Sequence, residues 1–85
     1  MPPREARTYV DVVLRVDAMG VQTPLAVILP DRRTYPVDRV SDRRRIAEGL
    51  ALTVHIGEHV TQLHRDDRGF SGQRWYVTMR SPRQR

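Results

Sequence analysis

Cysteine, lysine and asparagine are absent from the 85 residues. Without cysteine there is no disulfide to reinforce a small core and no thiolate for a metal. Such a chain suits a reducing compartment, so the cytoplasm is its expected location. No apolar run approaches the ~18 residues of a membrane-spanning helix, so no membrane partner is expected. The opening MPPREAR has charge and proline but no apolar stretch behind it, unlike a signal peptide. Glycine-rich phosphate loops and nucleophile elbows are also missing. What remains is one small domain, burying roughly 60–65 % of its unfolded surface and leaving little stability in reserve for strained catalytic geometry.

All fifteen basic residues are arginine, against ten acids, a net charge of +5. That charge is unevenly placed. Residues 1–7 and 81–85 read as mobile arms and hold three of the five excess charges. The domain proper, 8–80, has eleven arginines and nine acids, and setting aside Asp42 and Arg43 to Arg45 leaves eight of each. The body is therefore balanced apart from one stretch, VSDRRRIAEG.

Period-two alternation runs from Tyr9 to Arg80 and predicts strands. Val10, Val12, Leu14 and Val16 fall on one face of a first strand, with Tyr9, Asp11, Val13 and Arg15 on the other. Pro24 admits a second strand from about Leu25, with Leu25, Val27 and Leu29 inward. Pro30-Asp31-Arg32-Arg33 is a turn, since Asp can bond back to the chain. Thr34 to Val40 reads as a third strand with one side unpaired at Pro36. Leu50, Leu52, Val54 and Ile56 mark a fourth strand. Gly57-Glu58 then makes a Gly-first hairpin turn, which sets Ile56 opposite His59, Val54 opposite Thr61 and Leu52 opposite Leu63. Arg65 to Arg74 reads as a loop, and Trp75, Val77 and Met79 as the inner side of a last strand. The expectation is an all-β fold: a small antiparallel barrel of about six strands, SH3-like, with an OB-like barrel as runner-up.

VSDRRRIAEG reads as a connector with one short helical turn around residues 42–48. Ser41 suits an N-cap and Asp42 the first turn. Glu48 stands three and four residues from Arg45 and Arg44, and Gly49 suits the end of the turn. That leaves two of the three arginines without an assigned partner.

Candidate chemistry is sparse. His55 and His59 have a helical ligand spacing, but Gly57 between them and the alternation of their segment put them on opposite faces of a hairpin, with His55 opposite Val60. No metal site, cofactor or small-molecule substrate is expected. Arg65 and Arg68 flank Asp66-Asp67 and would keep both acids ionised, the wrong direction for a general acid at neutral pH. The chain does not read as an enzyme.

Two binding readings remain. The first is protein–protein: Pro24 and Pro36 leave strand edges incompletely paired, a template for strand addition by a partner or by a second copy. The second is weak electrostatic nucleic-acid binding. Tyr9 and Tyr76 lie on the outer faces of the first and last strands, beside Arg15 and Arg80, and would form a stacking platform if those strands are neighbours. Arg43, Arg44 and Arg45 would supply phosphate contacts.

Three stretches also carry a resemblance: TPLAVILPDRRTYPVDRVSDRRR, ALTVHIGEHVTQLHRDD and RWYVTMR. Together they resemble a group of short, uncharacterised bacterial proteins over most of residues 9–80. Tyr35, Val37, Asp38, Arg39 and Val40 match the central signature of that group, and Trp75, Tyr76 and Val77 the closing one. More distantly the layout looks like small actinobacterial barrel proteins found beside DNA polymerases that copy damaged templates. The resemblance implies a small β-barrel and no established activity or binding residue.

Overall fold

The computed structural model describes residues 6–69 and 72–79, without the side chain of Met79. Seven strands follow one another: β1 (Ala6–Val16), β2 (Gln22–Ile28), β3 (Thr34–Pro36), β4 (Arg39–Ile46), β5 (Gly49–Ile56), β6 (His59–Gly69) and β7 (Gly72–Met79). They form one antiparallel sheet in the order β3-β2-β1-β7-β6-β5-β4. Hydrogen-bonded neighbours are neighbours in sequence except for β1 and β7, whose pairing joins the two halves. No helix occurs among the described residues, so none is long and apolar enough to cross a membrane.

Two bent segments curl this sheet into an open barrel. Residues 6–10 of β1 pair with β7, whereas 11–16 pair with β2. On the opposite side the chain passes from β3, beside β2, to β4, beside β5. Val37 N donates to Leu25 O at 2.9 Å and Asp38 N to His55 O at 2.7 Å, so two consecutive residues tie β2 to β5. Beyond that tie β4 is not paired with β2 among the described residues, and the Arg43 side chain reaches the first residue of β2, Gln22. The expected third strand, 34–40, is thus two strands with a corner at 37–38.

The core lies inside the curl. Leu52, Val54 and Leu63 are fully buried, with Val10, Val27, Trp75 and Val77 around them. Truncating a leucine there to alanine costs about 2–5 kcal/mol. The alternation that predicts this core fails at one place. Leu14 pairs with Pro24 and Val13 with Ala26, so Leu25 is an extra residue in β2. This bulge reverses the pleat: Pro24 is buried and Leu25, expected inward, is 46 % exposed.

Turn chemistry shapes the remainder. Gly57, at φ 59°, begins the β5–β6 turn, and the pairs Ile56–His59, Val54–Thr61 and Leu52–Leu63 form in the predicted register. Asp31 Oδ1 accepts from Arg33 N at 3.0 Å in the β2–β3 turn. The expected helical turn at 42–48 is instead the end of β4 and the Ala47-Glu48 turn into β5. A capped helical turn contributes about 1 kcal/mol, and seven cross-strand pairs between β4 and β5 outweigh it. The expected loop 65–74 is likewise largely strand: β6 runs to Gly69, with a bulge between Asp66 and Gly69 absorbing one residue. Of the expected arms, Ala6 and Arg7 belong to β1. Residues 1–5, 81–85 and Arg80 lie outside the described residues.

Candidate functional site

Cross-strand partners share a face of a sheet, and that rule places the candidates on β1, β4 and β7, while Arg80 lies outside the described residues. On the outer face one row reads Arg44, Ala51, His64, Tyr76, Tyr9 across five strands. On the inner face two rows begin at β4 with an arginine: Arg43-Leu52-Leu63-Val77 and Arg45-Leu50-Arg65-Trp75. Three consecutive arginines are thus divided, with Arg44 facing outward and Arg43 and Arg45 inward.

Tyr9 and Tyr76 are direct partners, their ring centroids 5.7 Å apart. They do not form an open platform, because Tyr76 is 2 % exposed. His64 stacks on it at 4.8 Å, the Arg7 guanidinium lies 4.3 Å from its ring centre, and its hydroxyl donates to Glu48 Oε2. Tyr9 is 39 % exposed and carries the Arg74 guanidinium at 4.3 Å. Arg15 stands six residues along β1, roughly 20 Å from Tyr9 at strand rise. The Arg43–Arg45 run is four strands from β1 in sheet order, but the curl brings Arg43 against Gln22, whose β1 partner is Val16, next to Arg15.

Around Tyr76 the charges are closely tied. Arg7 Nη2 donates to Glu48 Oε2 at 3.2 Å, and its Nη1 lies 3.6 Å from Asp66 Oδ2. Arg68 donates to Asp66 Oδ1 from its backbone N at 3.0 Å and from Nε at 3.3 Å. The hydrogen bond from Tyr76, with the nearby Arg7 and Arg68 charges, holds the Glu48 carboxyl below its usual range. Asp66 is held low by the Arg68 backbone N–H and then its guanidinium. Burial, reinforced by the bond to Glu48, pushes the Tyr76 phenol up to about 12. These residues knit β1, β6, β7 and the β4–β5 turn together. Arg7 and Glu48 escape a reading by composition because they stand 41 residues apart and meet only through the β1–β7 pairing.

The inner arginines are held differently. Arg65 grips Asp67 with two bonds of 2.7 and 3.0 Å and donates to Gln22 Oε1 at 3.0 Å. Arg43 Nη1 donates to the Gln22 carbonyl, at the start of β2, at 3.0 Å. Arg44 pairs with Asp42 at 3.3 Å in water. Arg45 has no hydrogen bond or ion pair among the described residues.

The histidines part company. His55 shares a 2.7 Å hydrogen bond with Ser41, His59 borders a cavity, and His64 stacks on Tyr76. No group of three or more His, Asp or Glu among the described residues could hold a metal. That cavity, about 300 Å³, opens inside the curl among Val27, Leu29, Tyr35, Val54, Ile56 and Val77. A second hollow of about 400 Å³ lies where β1 leaves β7, beside Tyr9, Asp11, Arg74 and Trp75.

No family model, curated protein or solved structure matches the chain.

Proposed function

We propose that this chain is a small binding module that takes up an extended protein segment along the free edge of β4. The observation that carries this reading is that, among the described residues, β4 has a strand on one side only, β5, while six of its eight residues are exposed. An edge strand presents unpaired N–H and C=O groups on which a partner can add by main-chain hydrogen bonding. The sheet order favours an SH3-like over an OB-like barrel, because OB barrels are Greek keys and this chain meanders.

The test is amide hydrogen exchange at Arg39 to Ile46 with and without short extended peptides. Strand addition slows exchange along β4 and leaves β3 unchanged. Peptides that bind while β4 amides exchange as before would sink the reading.

A second reading, electrostatic binding of nucleic acid, draws on Arg43, Arg44 and Arg45 of the same strand. It loses support from Tyr76, whose ring is covered, and keeps only phosphate contacts, which carry no sequence information. A binding constant that falls steeply with salt and is insensitive to Tyr9→Ala is its signature.

A further inference from the structure

We infer that the segment β4 takes up is acidic on alternate residues, an Asp/Glu-x-Asp/Glu stretch in extended conformation, with both carboxylates on the inner side of the sheet. This rests on the edge-binding reading and adds to it the chemistry of the partner.

Three observations lead there. First, β4 contains four arginines and one acid, Asp42. Edge arginines and the bulge between Val40 and Asp42 are devices that keep an edge from pairing with its own copies. They discourage a second copy of this chain and favour an acidic partner. Second, the arginines are not equivalent. Arg44 faces outward and already has Asp42 at 3.3 Å. Arg43 and Arg45, two residues apart, share the inner face, where Arg45 is unpaired among the described residues. Residues of an added strand opposite Arg43 and Arg45 lie on that same face, two apart, while the residue between them meets Arg44 and needs no charge. Third, the one side-chain bond Arg43 makes among the described residues is to a neutral carbonyl, Gln22 O, at the start of β2. A carboxylate offers a charge-assisted bond, roughly twice as strong. An entering strand therefore displaces the Gln22 contact.

The experiment uses the whole chain and three seven-residue peptides. One is alternating, Thr-Val-Glu-Thr-Glu-Val-Thr. One is its isomer with adjacent acids, Thr-Val-Glu-Glu-Thr-Val-Thr. The third replaces both Glu of the first by Gln. Affinity is read by isothermal titration at low salt, and strand addition by amide exchange along β4. The alternating peptide is expected to bind about tenfold more tightly than its isomer, a factor equivalent to about 1.4 kcal/mol. Arg45→Gln and Arg43→Gln each remove most of that preference, whereas Arg44→Gln leaves it, and all three variants retain the parent circular dichroism. Equal affinity for the isomers, with β4 amides slowed by both, overturns the inference and leaves strand addition standing. So does an Arg44→Gln effect as large as that of Arg45→Gln. If no peptide slows β4 amides, both readings fail. Oligothymidylate binding that displaces the peptides and depends on all three arginines alike overturns the inference in favour of nucleic acid. Mass rising with concentration, with β4 amides slowed in the absence of peptide, overturns it in favour of a second copy.

Discussion

Arginine does opposite things at the two ends of the outer row that runs from Tyr9 to Arg44. Around Tyr76, Arg7 and Arg68 are tied to Glu48 and Asp66, and Asp66 is 7 % exposed. These guanidiniums fasten β1 and the β6 bulge to the β4–β5 turn. On β4, the arginines stand in water, Arg44 paired with Asp42, Arg43 reaching a carbonyl, and Arg39 and Arg45 without a side-chain hydrogen bond or ion pair among the described residues. The same residue type builds the fold in one place and is left over in the other. The difference lies in the sheet order: the strands bearing Arg7 and Arg68 have neighbours on the sheet face they cross, and β4 stands at the edge.

The most damaging way to break the comparison is at the residue joining the two regions. Gly49 follows Glu48 and opens β5, and a Cβ there would sit 2.1 Å from the Arg65 carbonyl oxygen. Backbone cannot yield as a flexible side chain can, so Gly49→Ala forces β5 from β6 and carries Glu48 away from Tyr76. We expect a loss of about 2–4 kcal/mol, a large fraction of the stability of a domain this small. Urea denaturation followed by tryptophan fluorescence of Trp75 measures it. A midpoint like the parent's would mean that β5 and β6 are not held this closely.

Next in size is Tyr76→Phe, which keeps the stacked ring and removes the buried hydroxyl from Glu48. A hydrogen bond to a charged group supports a loss of about 1.5 kcal/mol. It should also change the alkaline limb. The folded phenol titrates near 12, above the value of about 10 for a free tyrosine. Folding therefore favours the protonated form, and the resulting stability is intact below pH 10 and lost as pH rises from 10 through 12. Tyr76→Phe has less of this loss. Urea midpoints taken at intervals from pH 8 to 12 on both proteins make the comparison, and parallel curves would remove Tyr76 as its source.

The acid limb belongs to the same region and is smaller. Glu48 and Asp66 both titrate below their ordinary values in the folded state. Their contribution is complete above the unfolded carboxylate range, near pH 4, and disappears as pH falls through the lower folded values. Glu48→Gln retains an acceptor for Tyr76 while deleting the titration, so its stability should fall less steeply below pH 4 than the parent's. Thermal midpoints from pH 7 to 2 read the two slopes, and identical slopes would place the acid sensitivity elsewhere.

How much of this could be read in advance follows the same divide. Where apolar residues alternate and a turn residue pins the register, as at Leu52, Val54, Gly57 and Leu63, the pairing follows from the residues alone. The Arg65–Asp67 and Arg68–Asp66 attachments are local and also legible, although the segment is strand rather than loop. Leu25 misleads because a bulge reverses the pleat without leaving a mark in hydropathy. β4 misleads more deeply. An edge strand outside the curl need not be apolar on either face, so Asp42 to Ile46 carries no period of two, while Ser41, Asp42 and Glu48 imitate the caps and pairs of a helix. The Tyr9–Tyr76 pairing follows from alternation once β1 and β7 are neighbours, but burial of Tyr76 depends on Arg7 and Glu48 arriving from distant segments.

The smallest expected effect is the one that sharpens the comparison most. Arg44→Gln and Arg45→Gln should each leave stability within about 0.5 kcal/mol of the parent, since an exposed pair such as Arg44–Asp42 contributes little. Arg7→Gln, a change of the same kind at the other end of the row, should lower it by clearly more, because it leaves Glu48 and Asp66 without a charge between them. If all three variants unfold at the same urea concentration, the Tyr76 cluster is as loosely held as the edge. If Arg45→Gln proves as costly as Arg7→Gln, then β4 is part of the scaffold, its arginines are spoken for, and the edge is not free to take up a partner.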